Sequence, residues 1–436
     1  MKSDAAVAIV GGGYSGTILA AQLARRGIGS YLIDGSGRVG RGVAYSTTEP
    51  AHLLNVRAEG MSAWSGDTGH FAEWFEQRGG DRRGFAQRRL FAEYLAEILR
   101  DAVGSGFTEV VDATALNAHR NGRWEIELDN GRRLHAAALA LAIGNQEPEA
   151  LAAFEQAGPC SVANPWGNQA QAAVRDLVET GRNVLLVGTG LTMVDVVLSL
   201  EAAGFDGRIV AVSRRGQVPR AHSDFDAAPV DLKDVPQADI GKLMRWLRRR
   251  AAEVGWRAAV DSLRPHSHPI WQSLTPEQQR RFLRHVRPWW DVHRHRIAPE
   301  VADILARLVA DGFLEVVAGR IVSAAAAEEG IEVTIRRRGS AKETRELFAY
   351  AFNCTGPLQS ISRTSDPLLR SLLDEGQASP DHLGIGLEVD GNSRAGDHLW
   401  ALGPLTKGRY WEIIAVPDIR DQAAAVAADI ERELSA

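Results

Sequence analysis

Three glycines near the start of the chain have the types and spacing that could bind a phosphate-bearing ligand. Gly11, Gly13 and Gly16, in VAIVGGGYSG, follow the GxGxxG pattern of a turn that lets backbone atoms approach a diphosphate. A helix opening at about Ser15 would direct unpaired N–H groups and its positive end at the phosphates. The next strand, SYLID, ends at Asp34, where a carboxylate can accept hydrogen bonds from a ribose. These features predict a dinucleotide site; the alternative is a packing turn without a ligand.

A second glycine turn, in NVLLVGTGLTM, follows another apolar strand. Gly188 and Gly190 repeat the first two glycines, but Met193 stands in place of the third. This side chain would push helix and strand apart, which predicts a more open pocket and a ligand that exchanges. The strand after the helix ends in Arg214 and Arg215, which suit the 2′-phosphate of NADPH; the alternative is two solvated arginines. One tight and one exchangeable site indicate a flavoprotein that keeps FAD and receives NADPH.

The elements that would position these turns alternate strand and helix, and 436 residues exceed a single ordinary core. We predict an α/β fold of the glutathione-reductase type, with two Rossmann-like dinucleotide-binding domains, the NADPH domain being inserted in the FAD domain. The FAD domain would comprise residues 1–165 and 348–436. The NADPH domain would comprise residues 166–347 and carry a helical insertion at about 231–311.

Small-residue turns mark where the chain would pass between the two domains and finish the first one. The strand AALALAIGN reaches Gly144, and the strand FAYAFNCTG reaches Gly356. A last strand runs into Gly403, and a helix begins at about Asp418, which would cap it. We place Gly403, Asp418 and Ile419 at the flavin, where the helix dipole would stabilise the reduced form. The alternative is an ordinary capped terminal helix.

Composition excludes several classes of function. A net charge of -5 gives no basic surface for nucleic acid. Cys160 and Cys354 form no CxxC motif, which argues against a redox-active dithiol and a disulfide-stapled secreted fold. No leader peptide precedes Val7, and no apolar run approaches the roughly 18–20 residues that span a bilayer. We therefore expect a cytoplasmic protein without a membrane partner.

The helical insertion is longer than nucleotide binding requires, so we predict that it covers the substrate. His293 and His295, in WWDVHRHR, lack the further ligands of a metal site. They are predicted to make polar contacts to the substrate or to the flavin domain; simple structural hydrogen bonds are the alternative. Four arginines of the insertion suggest a solvated face or, alternatively, a site for phosphate or an acidic partner: Arg245, Arg248, Arg249 and Arg250.

Several stretches resemble two-dinucleotide-binding-domain flavoproteins, and more narrowly a bacterial group of FAD/NAD(P)-binding proteins related to flavin-dependent monooxygenases. These stretches are GRGVAYSTTEPAHLLNVRAEGMSAW, GTGLTMVDVVLSL, SRRGQVPRAH, RPWWDVHRHRIAPEV and GPLTKGRYWEIIAVPDIR. The resemblance implies that five residues lie along the flavin: Arg41, Tyr45, Leu54, Asn55 and Val56. It also implies that the backbone of Ala115 meets the adenine, and that Thr192 and Asp195 occupy the polar positions of the NADPH turn.

The chain departs from this family pattern in two places. Arg57 stands where the bacterial group usually has proline, so either the backbone beside the flavin is altered or Arg57 has acquired a contact of its own. The FxGxxxH signature of flavin-containing and Baeyer–Villiger monooxygenases is absent from SVANPWGNQAQ. The candidate catalytic residues are therefore Asn55, Arg57, His293 and His295.

These observations predict an FAD-dependent, NADPH-using monooxygenase. It would use O2 to hydroxylate a small polar molecule through a C4a-peroxyflavin, chemistry that the flavin supplies and the protein positions. One alternative is an NADPH:acceptor oxidoreductase without oxygen insertion. A second is a flavin-binding redox sensor without turnover.

Overall fold

The structure, a computed structural model, describes residues 7–435. The strands are β1 (Val7–Val10), β2 (Ser30–Ile33), β3 (Thr108–Val111), β4 (Ala115–Asn121), β5 (Arg123–Leu128), β6 (Arg133–Ala136), β7 (Ala138–Leu141), β8 (Ser161–Val162), β9 (Val184–Val187), β10 (Ile209–Ser213), β11 (Leu314–Ala327), β12 (Gly330–Arg337), β13 (Glu343–Phe348), β14 (Tyr350–Asn353), β15 (Arg394–Gly396) and β16 (Leu399–Ala401). The helices are α1 (Tyr14–Arg25), α2 (Gly42–Tyr45), α3 (His70–Glu76), α4 (Arg88–Gly104), α5 (Asn168–Thr180), α6 (Leu191–Ala202), α7 (Ile240–Val254), α8 (Trp256–Asp261), α9 (Ser267–Ser273), α10 (Pro276–Arg281), α11 (Arg287–Arg294), α12 (Pro299–Ala310), α13 (Pro367–Asp374) and α14 (Val416–Ser435).

The first sheet has the strand order β15-β16-β7-β1-β2-β3 and is parallel except at its β15 edge. Its central strand β1 is buried along its whole length, as expected for an apolar strand covered on both faces. One face packs against α1, α4 and α14, in a core that includes Ile18, Phe91 and Val426. The other face packs against α13 and a three-stranded antiparallel sheet, β4-β5-β6. The first glycine turn thus lies at the carboxyl end of a rigid, covered strand.

The second sheet has the order β13-β12-β11-β10-β9-β14-β8. β9 and β10 are parallel and carry the second glycine turn and the arginine pair at their carboxyl ends. The long connection from β10 to β11 contains α7 to α12, of which only α12 packs against this sheet, through Leu305 and Leu308. Because both large sheets contain parallel strands covered by helices, the predicted α/β fold class is confirmed.

Two strands lie outside the sheet that the predicted domain limits assign to them. β14 begins at Tyr350, within the predicted return to the first domain, yet it pairs in parallel with β9. β8, within the predicted first part, pairs with β14 in the second sheet. Buried parallel strands are uniformly apolar in either sheet, so their sequences do not indicate which sheet they join. The first sheet is completed by β15 and β16.

The helical insertion consists of α7 to α11 with its own apolar core. Leu247, Trp271 and Phe282 lie in this core, and Trp411 from the segment before α14 packs against it. The stacked rings of Trp271 and Trp411, with centroids 5.0 Å apart, tie the insertion to the first domain. Within residues 7–435, no helix is long and apolar enough to cross a membrane.

Candidate functional site

The first glycine turn leaves no room for a side chain at Gly11 or Gly16. Gly11 has φ +106°, and a Cβ there would lie 2.4 Å from the carbonyl oxygen of Ala142. A Cβ on Gly16 would lie 1.9 Å from the carbonyl oxygen of Gly11, well inside any real contact. Helix α1 begins at Tyr14 after Gly13, and no side chain caps its N-terminus. Its first N–H groups are therefore available to a diphosphate.

Asp34 is held directly at this turn. Its Oδ2 accepts a hydrogen bond from the backbone N–H of Gly12 at 2.6 Å, and its Oδ1 accepts one from the N–H of Ser36 at 2.8 Å. The hydroxyl of Ser36 also donates to Oδ1. A carboxylate has about four acceptor positions, so about one remains for a ribose hydroxyl. This geometry fits the role predicted for Asp34.

The loop that carries Arg41 lies against the same turn. The N–H of Gly40 donates to the carbonyl of Gly12 at 2.7 Å. Gly42 has φ +59°, and a Cβ there would lie 2.9 Å from the Cα of Gly13. Arg41, between these two glycines, is exposed. The loop therefore places an exposed cationic side chain beside the predicted diphosphate position.

The other predicted flavin positions differ in what they could offer a ligand. Tyr45 stands edge-on to Phe91 with ring centroids 4.8 Å apart, and burial raises its pKa to about 12, so it is neutral. Val56 is half-buried. The side chains of Leu54 and Ala115 lie in the core, each residue 3% exposed, so only their backbones could meet a nucleotide. For Ala115 this is the contact that the resemblance implies.

The second glycine turn is less constrained. Gly188 has φ +120°, and a Cβ there would lie 2.2 Å from the carbonyl oxygen of Cys354. At Gly190 a Cβ would meet nothing within 4 Å. Met193 is fully buried and occupies the position of the third glycine, while Thr192, in the first turn of α6, is only half-buried. Helix α6 therefore accommodates a large side chain at the position where α1 requires glycine. The more open nucleotide pocket remains a prediction.

Asp195 has a different role from the one the resemblance implies. Both of its carboxylate oxygens accept hydrogen bonds from the guanidinium of Arg88, at 3.0 and 2.8 Å. Its carbonyl oxygen accepts a third bond from His52 Nε2 at 2.9 Å. Because Arg88 and His52 belong to the first domain, this buried bidentate pair joins the two domains and is not free for a nucleotide.

The arginine pair after β10 is available to a ligand. Arg214 is exposed, and Arg215 is half-buried with its guanidinium carbon 5.6 Å from the ring centre of Trp289. Neither arginine forms an ion pair in the described part of the chain. Arg215 is therefore oriented by a cation–π contact while its charge stays unpaired.

The returning segment brings a second helix end to the first turn. A Cβ on Gly403 would lie 3.0 Å from Ser15 Oγ and 3.7 Å from Ile419 Cδ1. The last helix was predicted to begin at about Asp418, with Asp418 as its cap; α14 begins two residues earlier, at Val416, so the predicted capping role is wrong. Pro417 fits inside the first turn, where no N–H is needed. Asp418 therefore lies within that turn and does not cap it, and burial raises its pKa.

The two predicted crossing turns require glycine for conformation and not for space. Gly144 and Gly356 have φ values of +78° and +89°, and a Cβ on either would meet nothing within 4 Å. They follow β7 and β14, which belong to different sheets. Whether either touches a cofactor remains a prediction.

Asn55 and Arg57 lie where the two domains meet. His222 Nε2 donates to the carbonyl oxygen of Asn55 at 3.0 Å. Arg57 donates to the carboxylate of Asp224 at 2.7 Å and to the carbonyl of Arg83, so it has acquired contacts of its own. These bonds connect the loop after Leu54 to the segment that follows the arginine pair.

His293 lies in α11 and His295 directly follows this helix, and the two differ in their surroundings. His293 Nδ1 bonds to the carbonyl oxygen of Trp289 at 2.7 Å, and its ring meets the Trp256 ring edge-on at 5.0 Å. His295 lies 3.9 Å from Asp291, and burial lowers its pKa, so it is largely neutral at pH 7. Their polar partners, Trp289 and Asp291, both lie in α11, which favours the structural alternative.

Contacts from the insertion to the returning segment are made instead by the neighbours of these histidines. Arg294 Nε donates to Glu412 Oε2 at 3.0 Å, and Trp290 Nε1 donates to Glu412 Oε1. Burial alone would raise the pKa of Glu412, but the charge of Arg294 and the hydrogen bonds from Arg294 and Trp290 hold it below its ordinary value. Glu412 also has φ +73°, a strained conformation of the kind found at functional sites.

Comparisons with known proteins agree with this geometry. Residues 8–146 match a family model described as FAD-NAD(P)-binding. The matched stretch contains the first glycine turn and Asp34. The uncharacterized protein Rv3403c of Mycobacterium tuberculosis is 25% identical over 398 residues, covering 79% of this chain and 73% of its own length. A Mycobacterium bovis protein, Mb3437c, matches to the same extent.

Solved structures share the whole fold. L-lysine 6-monooxygenase of Pseudomonas syringae has a TM-score of 0.68 at 18% identity, covering 98% of this chain and 99% of its own. The ornithine N-hydroxylase KtzI of Kutzneria sp. 744, with reduced FAD, NADP+ and L-ornithine, has a TM-score of 0.68 at 17% identity, covering 99% of each chain. Thioredoxin reductase of T. acidophilum has a TM-score of 0.54 at 11% identity, covering 100% of each chain. The predicted fold of a two-dinucleotide-domain flavoprotein is thus confirmed.

A lysine and a glutamate that the sequence analysis did not single out lie in the returning segment of the FAD domain. Lys407 Nζ donates to Asn145 Oδ1 at 3.0 Å, directly after Gly144. Burial, with a contribution from Arg287, lowers the pKa of Lys407 to about 8. Both Lys407 and Glu412 fall in GPLTKGRYWEIIAVPDIR, so the resemblance was the signal that could have located them.

The arginine pair leads to a prediction about cofactor preference. We expect Arg214→Ala/Arg215→Ala to reduce the preference for NADPH over NADH by about 1–3 kcal/mol, the scale of hydrogen bonds to charged groups. The measurement is kcat/KM for both nucleotides, with the exposed Arg220→Ala as control. An unchanged preference would contradict the assignment.

His222 leads to a prediction about pH. Burial lowers its pKa to about 4, whereas the unfolded chain protonates near 6.5. As pH falls from about 6.5 towards 4, His222 is protonated in the unfolded chain but not in the folded one. The free energy of unfolding therefore decreases over this range. Between pH 7 and 5 we expect the wild type to lose about 2 kcal/mol more than His222→Gln in urea unfolding. Equal losses in the two proteins would refute this.

Proposed function

We propose that this chain is an FAD-dependent, NADPH-using monooxygenase that hydroxylates a small polar molecule through a C4a-peroxyflavin. The observation that carries the proposal is the difference between the two glycine turns. Gly16 admits no side chain, whereas the corresponding position of the second turn holds the buried Met193. A tightly enclosed first nucleotide and an exchangeable second one are what a flavin and a visiting hydride donor require.

The residues of the chain have separate roles in this proposal. The first turn and the start of α1 bind the FAD diphosphate, and Asp34 binds its ribose. Arg214 and Arg215 bind the 2′-phosphate of NADPH. FAD supplies hydride acceptance and reaction with O2, while the buried contacts around Glu412 exclude water and fix the helical insertion over the site.

Similarity in fold supports the monooxygenase over a disulfide reductase. Lysine and ornithine are polar amines, and the enzymes named for them share the fold across nearly the full chain. The thioredoxin reductase likeness is weaker in TM-score. The two cysteines, Cys160 and Cys354, form no CxxC motif, and burial raises the pKa of the Cys354 thiol, which leaves it unreactive.

The test is stopped-flow mixing of the NADPH-reduced enzyme with O2. A transient absorbing species that precedes the return of oxidised flavin is expected, together with substrate-dependent NADPH consumption in a screen of small amines. Immediate reoxidation with stoichiometric H2O2, with every candidate substrate, would favour the NADPH:acceptor oxidoreductase. Absence of any reduction by NADPH would leave the non-catalytic sensor.

A further inference from the structure

The helical insertion encloses a cavity that the proposed cofactor chemistry does not use. Its volume is about 570 Å³, within the roughly 300–1,000 Å³ range of small-molecule sites. The walls include three indole rings and several aliphatic side chains: Trp256, Trp289, Trp290, Met244, Leu247 and Val260. Such a surface favours a ligand with an apolar body.

The polar residues that line the cavity are all basic or imidazole groups. They are Arg248, Arg281, His285 and His293, and no aspartate or glutamate is among the lining residues. Arg248 and Arg281 are exposed at the rim, and in residues 7–435 neither forms an ion pair. The cavity therefore combines an apolar interior with unpaired positive charge at its mouth.

Nearby carboxylates do not cancel this charge because each already has a cationic partner. The pairs are Asp261–Arg296, Asp291–Arg287 and Glu412–Arg294. The rim arginines consequently remain as surplus cations. An anion brought to them would gain Coulomb energy that a neutral or cationic molecule would not.

Two arginines lie against the ring of Trp256. The guanidinium carbons of Arg257 and Arg296 lie 4.4 and 5.8 Å from the ring centre of Trp256. Arg296 is 3% exposed, and its Nε and Nη1 have no hydrogen-bond partner; Arg257 Nε likewise has none. Because Asp261 compensates the charge of Arg296, Arg257 is the cation that this wall adds, and it forms no ion pair within residues 7–435.

We propose that this cavity binds an organic anion with an apolar body, of the class of medium-chain monocarboxylates. The chain of the ligand packs between the indole rings, and its carboxylate pairs with Arg248 and Arg281. Trp289 also contacts Arg215, and Trp290 also bonds to Glu412. The occupied cavity therefore adjoins the predicted NADPH phosphate position and the returning segment of the FAD domain. This site is separate from the proposed monooxygenase reaction, because the monocarboxylate can bind without any turnover of NADPH or O2.

Calorimetric titration of the FAD-loaded protein with octanoate, without NADPH, tests the proposal. We expect one octanoate per chain and at least tenfold weaker binding of octylammonium, which has the same chain and the opposite charge. Arg248→Ala/Arg281→Ala should weaken octanoate at least tenfold. Arg245→Ala/Arg249→Ala, on the same helix but outside the lining, should leave it unchanged.

A second variant tests the location. Met244→Trp, which adds an indole ring to the wall of the cavity, should weaken octanoate binding at least tenfold. Retained FAD and an unchanged far-UV circular dichroism spectrum show that the protein is folded. Equal affinity for octanoate and octylammonium, or unchanged binding in the Arg248→Ala/Arg281→Ala variant, would overturn the proposal. Since NADPH oxidation is measured separately, failure of this site and failure of the monooxygenase function are distinguishable.

Discussion

Purified Gly16→Val protein is expected to contain no flavin. A Cβ at this position would lie 1.9 Å from the carbonyl oxygen of Gly11, and no rotation of a side chain relieves a contact with the Cβ itself. Helix α1 would have to move away from β1, taking its N–H groups away from the diphosphate. The measurement is the visible flavin absorbance of the purified protein, before and after incubation with FAD.

The control for this variant is Gly66→Ala. Gly66 lies in open space with no positive φ, so the added methyl group should leave flavin content unchanged. Far-UV circular dichroism and a cooperative thermal transition separate loss of the flavin from loss of the fold. Stoichiometric FAD in folded Gly16→Val protein would show that the turn is not the diphosphate site.

The second large effect is expected at Glu412. Glu412→Gln keeps the size of the side chain but leaves Arg294 buried without its counter-ion; the two side chains are 4% and 9% exposed. Breaking a buried pair by removing one charge costs about 3–5 kcal/mol. We therefore expect a loss of this size in urea unfolding, accompanied by loosening of the helical insertion and faster release of FAD.

Glu125→Gln provides the matched comparison. Glu125 pairs with Arg133 at 2.9 Å on the surface, where the side chains are 36% and 62% exposed. An exposed pair contributes about 0–1 kcal/mol. If the two variants lost similar free energy of unfolding, the Glu412–Arg294 pair would contribute no more than an exposed pair. The proposal that Glu412 fixes the helical insertion would then be wrong.

Local chemistry explains why the nucleotide turns could be predicted from the sequence. Gly11 has a backbone conformation that favours glycine, and Gly16 lies too close to the preceding strand for any side chain. The spacing of these glycines in the sequence is therefore enough to predict the turn. The positions of Met193 and of the arginine pair could also be predicted, because each stands at a fixed distance in sequence from such a turn. The parallel sheets follow from apolar strands alternating with helices.

Long-range pairings explain what could not be predicted. Asp195 was placed at the NADPH turn by resemblance, but its partner Arg88 is 107 residues away, and no local pattern indicates that pair. The sequence of β14 is apolar like that of any buried strand. It therefore does not indicate that β14 joins the second sheet by pairing with β9. The start of α14 was misplaced because both Asp418 as a cap and Pro417 within the first turn satisfy local rules.

The most direct test of the account is the cofactor content of purified protein and its reaction with NADPH under anaerobic conditions. We predict a yellow protein that keeps stoichiometric FAD through gel filtration, loses added NADP+ in the same step, and is bleached when NADPH is supplied. A colourless protein that cannot be reloaded with FAD would contradict the assignment of the first turn and, with it, the proposed function.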